Sequence, residues 1–293
     1  MTAFSPAKLN LYLAVTGRRA DGFHDLVSLA APLDFGDDLE ARGGARAGGN
    51  QFSLECDDPS IPVDAGNLVL RAAAAFAAAT GWREAVHFRL AKRIPAGAGL
   101  GGGSSNAVAA LRVLNELAGR PLAPDALAGL AAGLGSDCAL FFANAPVVLR
   151  GRGERVAPLP ASAAARLRGR RVLLFKPGFS ISTAWAYARM AATGTDYRAP
   201  AEAEARLAAW LGGEAPVEEL LANNMEGVAF DKFAALPVLL AGLRRTFGLA
   251  PRMSGSGSAC YALLRDDGVT APISAFIRAC WGPAAFVQEA RLA

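Results

Sequence analysis

The sequence predicts a protein of mixed strands and helices in two domains, and three observations lead to this class. Residues 7–15, AKLNLYLAV, alternate apolar and polar side chains with the period of a β-strand. Between residues 108 and 117, valine and leucine recur at the spacing of one helix face. The chain has 293 residues, 53% of them hydrophobic, and this size favours two domains over one.

The first strand has two different faces. Its leucines point to one side, whereas Lys8, Asn10 and Tyr12 point to the other. The polar face fits either a solvated edge strand or a strand that lines a cleft. Residues 16–21 are read as a basic turn, after which Gly22-Phe23-His24 leads into a second strand.

Local signals predict the next elements. Loops are expected at residues 36–38, GDD, and 42–49, RGGARAGG, which are rich in glycine and charged residues. An alanine-rich helix is expected from Asn67 to Thr80, followed by Gly81. Alternating apolar residues then indicate a strand that begins near Val86.

A glycine-rich segment, PAGAGLGGGSSN at 95–106, lies between that strand and the following helix. Glycine allows close approach of the backbone to a ligand, and the first N–H groups of a helix lack partners at the positive end of the helix dipole. Together these features predict a phosphate site rather than a flexible linker. The segment contains G-x-G-x-x-G, but no acidic residue follows at the dinucleotide-binding distance, and no lysine makes it a P-loop. A phosphate loop of another type is therefore indicated.

Composition excludes several other classes. The net charge is +4 without a long basic run, so a nucleic-acid partner is not expected. The apolar window 126–149 contains Asp137 and several turn residues, and it fits a buried helix, a turn at 134–136 and a buried strand better than a membrane span. The four cysteines are far apart, which disfavours a zinc site. Residues 1–14 lack the apolar core of a signal peptide, and a cytoplasmic location is expected.

The remaining chain carries three signals. Residues 158–170 are rich in alanine, proline and arginine, like an interdomain joint, and we predict domains over 1–157 and 158–293. A strand is expected at 172–175. A second glycine turn, SGSGS at 254–258, precedes a buried strand at 259–264.

Three segments, SPAKLNLYL at 5–13, PAGAGLGGGSSNA at 95–107 and SGSGSACYALL at 254–264, resemble the motifs of the GHMP small-molecule kinases. The run ADGFH at 20–24 is similar to the substrate loop of the members that act on 4-diphosphocytidyl-2-C-methyl-D-erythritol. The likeness continues through 135–142, 177–187 and 223–230, and so covers nearly the whole chain. It implies a two-domain α+β GHMP kinase fold with a ferredoxin-like C-terminal domain. It also implies ATP-dependent phosphorylation of the 2-hydroxyl of this substrate, in non-mevalonate isoprenoid biosynthesis.

The resemblance also implies roles for individual residues. Asp137 would accept the proton of the substrate hydroxyl, with Lys8 beside it to stabilise charge. Phe23 and Tyr187 would stack on the cytosine. The other implied substrate contacts are His24, which would hydrogen-bond the base, and Asn10 and Thr183.

The nucleotide is expected to contact the glycine loop, and the turn at 254–258 would pack against that loop and close the site. Mg²⁺ is expected with ATP; its protein ligands are not identified, and Ser104 or Ser105 are candidates. The sequence indicates no nucleic-acid or membrane partner and does not give the oligomeric state. The implied ATP-binding residues are Pro95, Ala96, Gly97, Ala98, Gly99, Leu100, Gly101, Gly102, Gly103, Ser104 and Ser105, with Asn67 and Lys92 near the adenine.

Two departures from the family pattern are visible. Phe23 stands where tyrosine is common, which keeps stacking but loses a hydroxyl. Asp137-Cys138-Ala139 replaces Asp-Val-Pro, which leaves the placement of the carboxylate less constrained. Asp137 and His24 could instead cap turns, and Lys8 could be solvated.

Two other functions remain open from the sequence. One is a GHMP kinase for homoserine, mevalonate or a sugar, against which ADGFH and Tyr187 argue. The other is a catalytically silent nucleotide-binding regulator, against which Lys8 and Asp137 argue.

Overall fold

A computed structural model of the chain describes residues 1–44, 51–265 and 268–293. The chain divides into two compact units whose segments interleave. Unit 1 comprises Met1–Ala7, Phe35–Ala96 and Gly101–Asn144, and unit 2 comprises Lys8–Asp34, Gly97–Leu100 and Ala145–Ala293. The predicted division near residue 157 is a single cut in the sequence, and it stays a prediction.

Unit 1 contains strands that share one ladder and helices that pack on each other. Strand β3 runs parallel to β4, and β4 is antiparallel to the end of β2, with Asp38 opposite Ala91. Helix α1 packs against α2 and α3. The bounds, in chain order, are β1 (Thr2–Arg18), β2 (His24–Gly43), β3 (Phe52–Cys56), α1 (Leu68–Thr80), β4 (Val86–Ala91), α2 (Gly102–Leu117), α3 (Pro124–Leu134) and α4 (Leu140–Ala143); the first two strands also enter unit 2.

Helix α1 shows how local sequence defines an element. The side chain of Asn67 accepts a hydrogen bond from the backbone N–H of Val69 and caps the helix, and Gly81 ends it with φ 73°. The predicted helix at this position is confirmed.

Unit 2 contains two sets of paired strands. In the first, the order is β6-β5-β2-β1-β8, and β1 pairs with β8 in parallel. The second is an antiparallel sheet with the order β11-β7-β10-β9. The bounds are β5 (Val147–Gly151), β6 (Arg155–Pro158), α5 (Ala161–Ala165), β7 (Arg171–Lys176), α6 (Thr183–Thr193), α7 (Pro200–Gly212), α8 (Val217–Leu220), β8 (Ala222–Asn223), α9 (Met225–Lys232), α10 (Ala235–Phe247), β9 (Arg252–Met253), β10 (Cys260–Leu263), α11 (Ala271–Trp281) and β11 (Phe286–Arg291).

The second sheet has the ferredoxin-like order that the resemblance implied. Helix α6 follows its first strand and α11 precedes its last, which gives a βαββαβ arrangement with further helices inserted. One face of the sheet and these helices enclose an apolar core that includes Phe175, Met190, Leu240 and Ile277, all of them fully buried. Burial of such side chains is the main term that stabilises this unit.

Three sequence expectations differ from the structure. The solvated-edge interpretation of β1 is wrong, since this strand has neighbours on both sides and Lys8 and Asn10 are buried. The predicted loop at 36–38 is wrong, because β2 continues through it. After Asp137, the short helix α4 comes before strand β5, where a strand was expected throughout.

Contacts with residues that are distant in the sequence explain why 36–38 form a strand. Gly36 lies so close to the backbone of Ser5 and Pro6 that a Cβ would collide with it, and the carboxylate of Asp37 is fully paired. Of the loop predicted at 42–49, Arg42 and Gly43 belong to β2, and residues 45–49 lie outside the described part.

No helix among the described residues has both the length and the apolarity needed to cross a membrane.

Candidate active site

In unit 2, the glycine loop is held from two sides. The backbone N–H of Lys8 on β1 donates to the carbonyl of Leu100 at 2.9 Å. On the other side, the hydroxyl of Ser254 donates to the carbonyl of Gly99 at 3.1 Å, and the N–H of Ala259 donates to the loop at Ala98, 3.0 Å away. The expected packing of the turn at 254–258 against the glycine loop is therefore confirmed.

Gly99 is the point where this packing requires glycine. Its φ is +76°, which side chains with a Cβ rarely adopt, and a Cβ there would collide with the carbonyl oxygen of Ser254. The N–H of Gly257 would also lie 3.1 Å from that Cβ. The loop can thus approach the backbone of the turn only because Gly99 has no side chain at the contact.

Lys8 and Asn10 form a buried polar pair on one face of β1. The ammonium of Lys8 donates to Oδ1 of Asn10 at 2.5 Å, and Nδ2 of Asn10 donates to the hydroxyl of Ser28 at 2.9 Å. Both residues are at most 5% exposed. A buried cation needs such a partner, and the contact also orients the ammonium.

An aromatic cluster surrounds His24 at the start of β2. The rings of His24 and Tyr187 have centroids 4.8 Å apart, and Nε2 of His24 lies 3.0 Å from the hydroxyl of Tyr197. Burial, assisted by the charge of Arg18, lowers the pKa of His24 below its usual 6.5. The neutral imidazole therefore predominates at pH 7, with one donor and one acceptor nitrogen.

Phe23 differs from the other aromatic residues proposed for the base. Its side chain is exposed at 48%, and the guanidinium of Arg152 lies 4.7 Å from the ring centroid. Tyr197 is the residue that sequence reasoning missed. It stands between helices α6 and α7 in a segment without apolar periodicity, so that no sequence signal identifies it.

Thr183 connects helix α6 to the glycine turn. It is the first residue of the helix, which Ser182 caps, and its hydroxyl lies 2.8 Å from the hydroxyl of Ser256. Tyr187 follows one turn later on the same helix side. The structure thus places the two predicted residues of α6 next to each other along one helix face.

In unit 1, helix α2 begins without a side-chain cap. Gly101 precedes it with φ 75° and provides no side-chain cap. The first N–H groups of any α-helix have no intrahelical acceptor. The hydroxyl of Ser105 is buried and has no hydrogen-bond partner among the described residues. Such a helix start fits an anion, as the glycine-rich sequence predicts.

A buried carboxylate, that of Asp37, ties both ends of the glycine loop within unit 1. It accepts hydrogen bonds from the N–H groups of Arg93 (2.7 Å) and Ile94 (2.8 Å), just before the loop. It also accepts one from the amide of Asn106, 3.0 Å away on α2, and forms an ion pair with Lys92. Sequence reasoning missed this residue because its surroundings have the composition of a loop.

Lys92 and Asn67, the two residues expected near the adenine, both have structural partners. The ammonium of Lys92 pairs with Asp37 and lies beside the start of α2, 3.2 Å from where Gly102 would carry a Cβ. Asn67 caps α1, and its amide donates to the carbonyl of Pro62 at 2.6 Å. Their contact with a nucleotide stays a prediction.

Asp137 lies in a turn between α3 and α4, and it is half-buried. The N–H of Cys138 donates to the carbonyl of Gly135 at 3.1 Å, and the Cys138 side chain is fully buried. Burial raises the pKa of this thiol to about 11, although a hydrogen bond to Ser104 opposes the shift. The hydrogen bond and the buried side chain restrain the turn where the family pattern has proline.

A search of the described residues finds no group of three or more histidine, cysteine, aspartate or glutamate side chains arranged to hold a metal ion.

Comparison with known proteins gives a consistent result. Residues 67–151 match the N-terminal domain of the GHMP kinases. A 4-diphosphocytidyl-2-C-methyl-D-erythritol kinase from Synechococcus sp. (strain CC9902) is 40% identical over 278 residues, which cover 91% of this chain and 88% of that protein. A crystal structure of 4-(cytidine 5'-diphospho)-2C-methyl-D-erythritol kinase superimposes with a TM-score of 0.77 at 34% identity, with all of both chains covered. A homoserine kinase from Cytophaga hutchinsonii shares the fold alone, with a TM-score of 0.73 at 16% identity over all of this chain and 94% of the other.

Proposed function

Since the chain belongs to the GHMP kinases, in the family of its 4-diphosphocytidyl-2-C-methyl-D-erythritol kinase relatives, we propose that it transfers the γ-phosphoryl group of ATP to the 2-hydroxyl of this substrate. The observation that carries the proposal is the joining of three segments in unit 2. The lysine-bearing strand, the glycine loop and the glycine turn are hydrogen-bonded to each other there.

The glycine loop and the start of α2 bind the triphosphate in this proposal. Phosphoryl transfer depends mainly on positioning and on neutralisation of charge. The first N–H groups of α2, which no side chain caps, supply donors, and the dipole of this helix favours an anion at that end. Lys92 and Asn67 are assigned to the adenine side.

Asp137 accepts the proton of the attacking 2-hydroxyl. A carboxylate is the group that carries out this step in other kinases, and its effect depends on its being ionised and within hydrogen-bond reach of the hydroxyl. Lys8 supplies positive charge to the transferring phosphoryl group, and Asn10 holds its ammonium in one direction.

The acceptor is recognised through its cytosine. Tyr187 and Phe23 stack on the base, and neutral His24 exchanges hydrogen bonds with its polar edge. Asn10 and Thr183 contact the polar groups of the acceptor. The hydrogen bond between Tyr197 and Nε2 of His24 fixes the ring orientation and leaves Nδ1 for the base.

Mg²⁺ fits the residues present at the start of α2. The buried hydroxyl of Ser105, which has no partner among the described residues, is an oxygen ligand of the kind this ion prefers, and the nucleotide phosphates would supply others. When bound, the ion neutralises charge on the phosphates.

The test is an assay of ADP release with purified protein and a panel of acceptors. We expect turnover with 4-diphosphocytidyl-2-C-methyl-D-erythritol and none with homoserine, mevalonate or galactose. Asp137→Asn should lower kcat by roughly a hundredfold or more, the usual contribution of a general base, while substrate affinity is kept. Activity on one of the other three acceptors alone would refute the substrate, and a fully active Asp137→Asn variant would refute the base.

A further inference from the structure

A cavity lies in unit 2 among residues that are not assigned above to nucleotide or acceptor. Its volume is about 250 Å³. The residues that line it belong to strands β1, β8 and β9, helices α7 and α9, and the adjoining loops. None of the residues proposed above for the reaction lines this cavity.

Three arginines from three different segments line this cavity. Arg198 precedes α7, Arg206 lies on that helix, and Arg252 lies on β9. Guanidinium groups bind phosphate through paired N–H donors, and a cleft with low-dielectric walls strengthens their field. Arg206 also donates to the carbonyls of Glu219 (3.0 Å) and Leu220 (3.3 Å), and the remaining donors of three guanidinium groups around one cavity favour an anionic ligand.

The two acidic residues of the lining are already engaged. The carboxylate of Glu226 accepts a hydrogen bond from the N–H of Met253 at 2.8 Å and from Arg252 at 3.2 Å, and burial raises its pKa. Glu202 is exposed and lies 4.0 Å from Arg198, a spacing at which a solvated pair contributes little. An incoming anion can therefore displace Glu202 from Arg198 at small cost.

Among the described residues, one of the lining arginines also has a donor without a hydrogen-bond partner. Nε of Arg252 is buried and has no hydrogen-bond partner in the part of the chain that the structure describes. A buried N–H of a cation that lacks an acceptor is costly, and a ligand oxygen would satisfy it. Tyr12, whose ring lies 5.8 Å from the guanidinium of Arg206, adds an apolar surface for a short organic part of the ligand.

We propose that this cavity, lined by Arg198, Arg206 and Arg252, is a binding site for a small phosphate-bearing molecule, separate from the site of phosphoryl transfer. Its volume suits a phosphate or diphosphate group with a short organic part. The wall residue Asn223 donates to the carbonyls of Met253 (2.9 Å) and Gly255 (2.8 Å), so the site adjoins the start of the glycine turn.

The test is calorimetric titration of the full chain with inorganic pyrophosphate, first alone and then with a saturating non-hydrolysable ATP analogue. The analogue blocks the glycine loop, so that binding which persists belongs to another site. We expect Arg198→Gln and Arg206→Gln each to weaken this persistent binding by roughly tenfold, the effect of losing one charge-assisted contact. Arg245→Gln, which changes an exposed arginine of α10 outside the cavity, should leave it unchanged.

A gain of affinity provides a control that misfolding cannot imitate. Glu202→Gln removes the repelling carboxylate and should tighten pyrophosphate binding by about twofold or more at low salt. Equal binding by the wild type and both arginine variants would overturn the proposal, as would loss of all binding in the presence of the analogue. Binding of citrate but not of pyrophosphate would overturn the phosphate assignment. Should the ATP analogue itself fail to bind, the proposed kinase site is in error, and the comparison of variants without analogue still decides on the cavity.

Discussion

Buried charge at single positions distinguishes structural residues from candidate catalytic ones. Asp37 is fully buried, and its carboxylate accepts hydrogen bonds from backbone and side-chain donors on both sides of the glycine loop. Lys8 is also buried, and its ammonium donates a hydrogen bond to the side chain of Asn10 on the same strand. The sequence shows both as polar residues near glycine, and only the three-dimensional contacts separate their roles.

The first prediction concerns Asp37. Asp37→Ala leaves the ammonium of Lys92 and three N–H donors without their acceptor, so we expect a loss of about 3–5 kcal/mol in the free energy of unfolding. Asp38→Ala, which removes an exposed pair with Arg93, should cost at most about 1 kcal/mol. Urea denaturation measures both. Equal, small losses would show that the carboxylate of Asp37 does not hold unit 1 together.

The second prediction uses the lowered pKa of His24. Below about pH 6.5 the unfolded chain binds more protons at this position than the folded one, so this residue makes stability fall as the pH falls. His24→Gln cannot titrate. The unfolding free energy of the wild type minus that of the variant should therefore decrease from pH 7 to pH 5. A difference that is constant, or that grows toward acid, would contradict the direction of the shift.

At the scale of elements, periodicity and capping predict much of the chain. The predicted helix ending at Gly81, the strand at 172–175 and the strand–loop–helix around 95–106 are present. The prediction of secondary structure fails where contacts with residues distant in the chain override the preference of the local sequence. Strand β2 continues through residues 36–38 because distant donors satisfy Asp37, which no short-range pattern encodes.

The third prediction concerns the packing of loop and turn. Gly99→Ala introduces a Cβ at φ +76° and into the carbonyl of Ser254, so the loop must move away from the turn. We expect a rise of roughly tenfold or more in the KM for ATP, because misplaced donors lose their phosphate contacts. Gly129→Ala on α3, where a Cβ meets no atom within 4 Å, should leave this KM unchanged. Steady-state kinetics at saturating acceptor compares the two variants.

For the whole chain, fold and acceptor are separate questions. The homoserine kinase has the same fold at 16% identity, so the fold does not select the acceptor. The residue types at 20–24 and 177–187 indicate a cytidine-bearing substrate through their likeness to family motifs, which needs no three-dimensional information. Tyr197 could not be found in the same way, because its contact with His24 joins residues 173 positions apart in the chain.

The last prediction concerns substrate identity. Stacking on a base contributes about 1–3 kcal/mol per contact, so Tyr187→Ala should weaken binding of the cytidine substrate by roughly tenfold or more. Tyr187→Phe keeps the ring and should bind nearly as well as the wild type, and ATP affinity should hold in both. His24→Ala should reduce the preference for the cytidine acceptor over its uridine analogue, because a site that hydrogen-bonds one polar edge rejects another. Equilibrium binding and kcat/KM with the paired acceptors measure these effects. If Tyr187→Ala weakened ATP and left the cytidine substrate unaffected, the aromatic cluster around His24 would belong to the nucleotide instead of the acceptor.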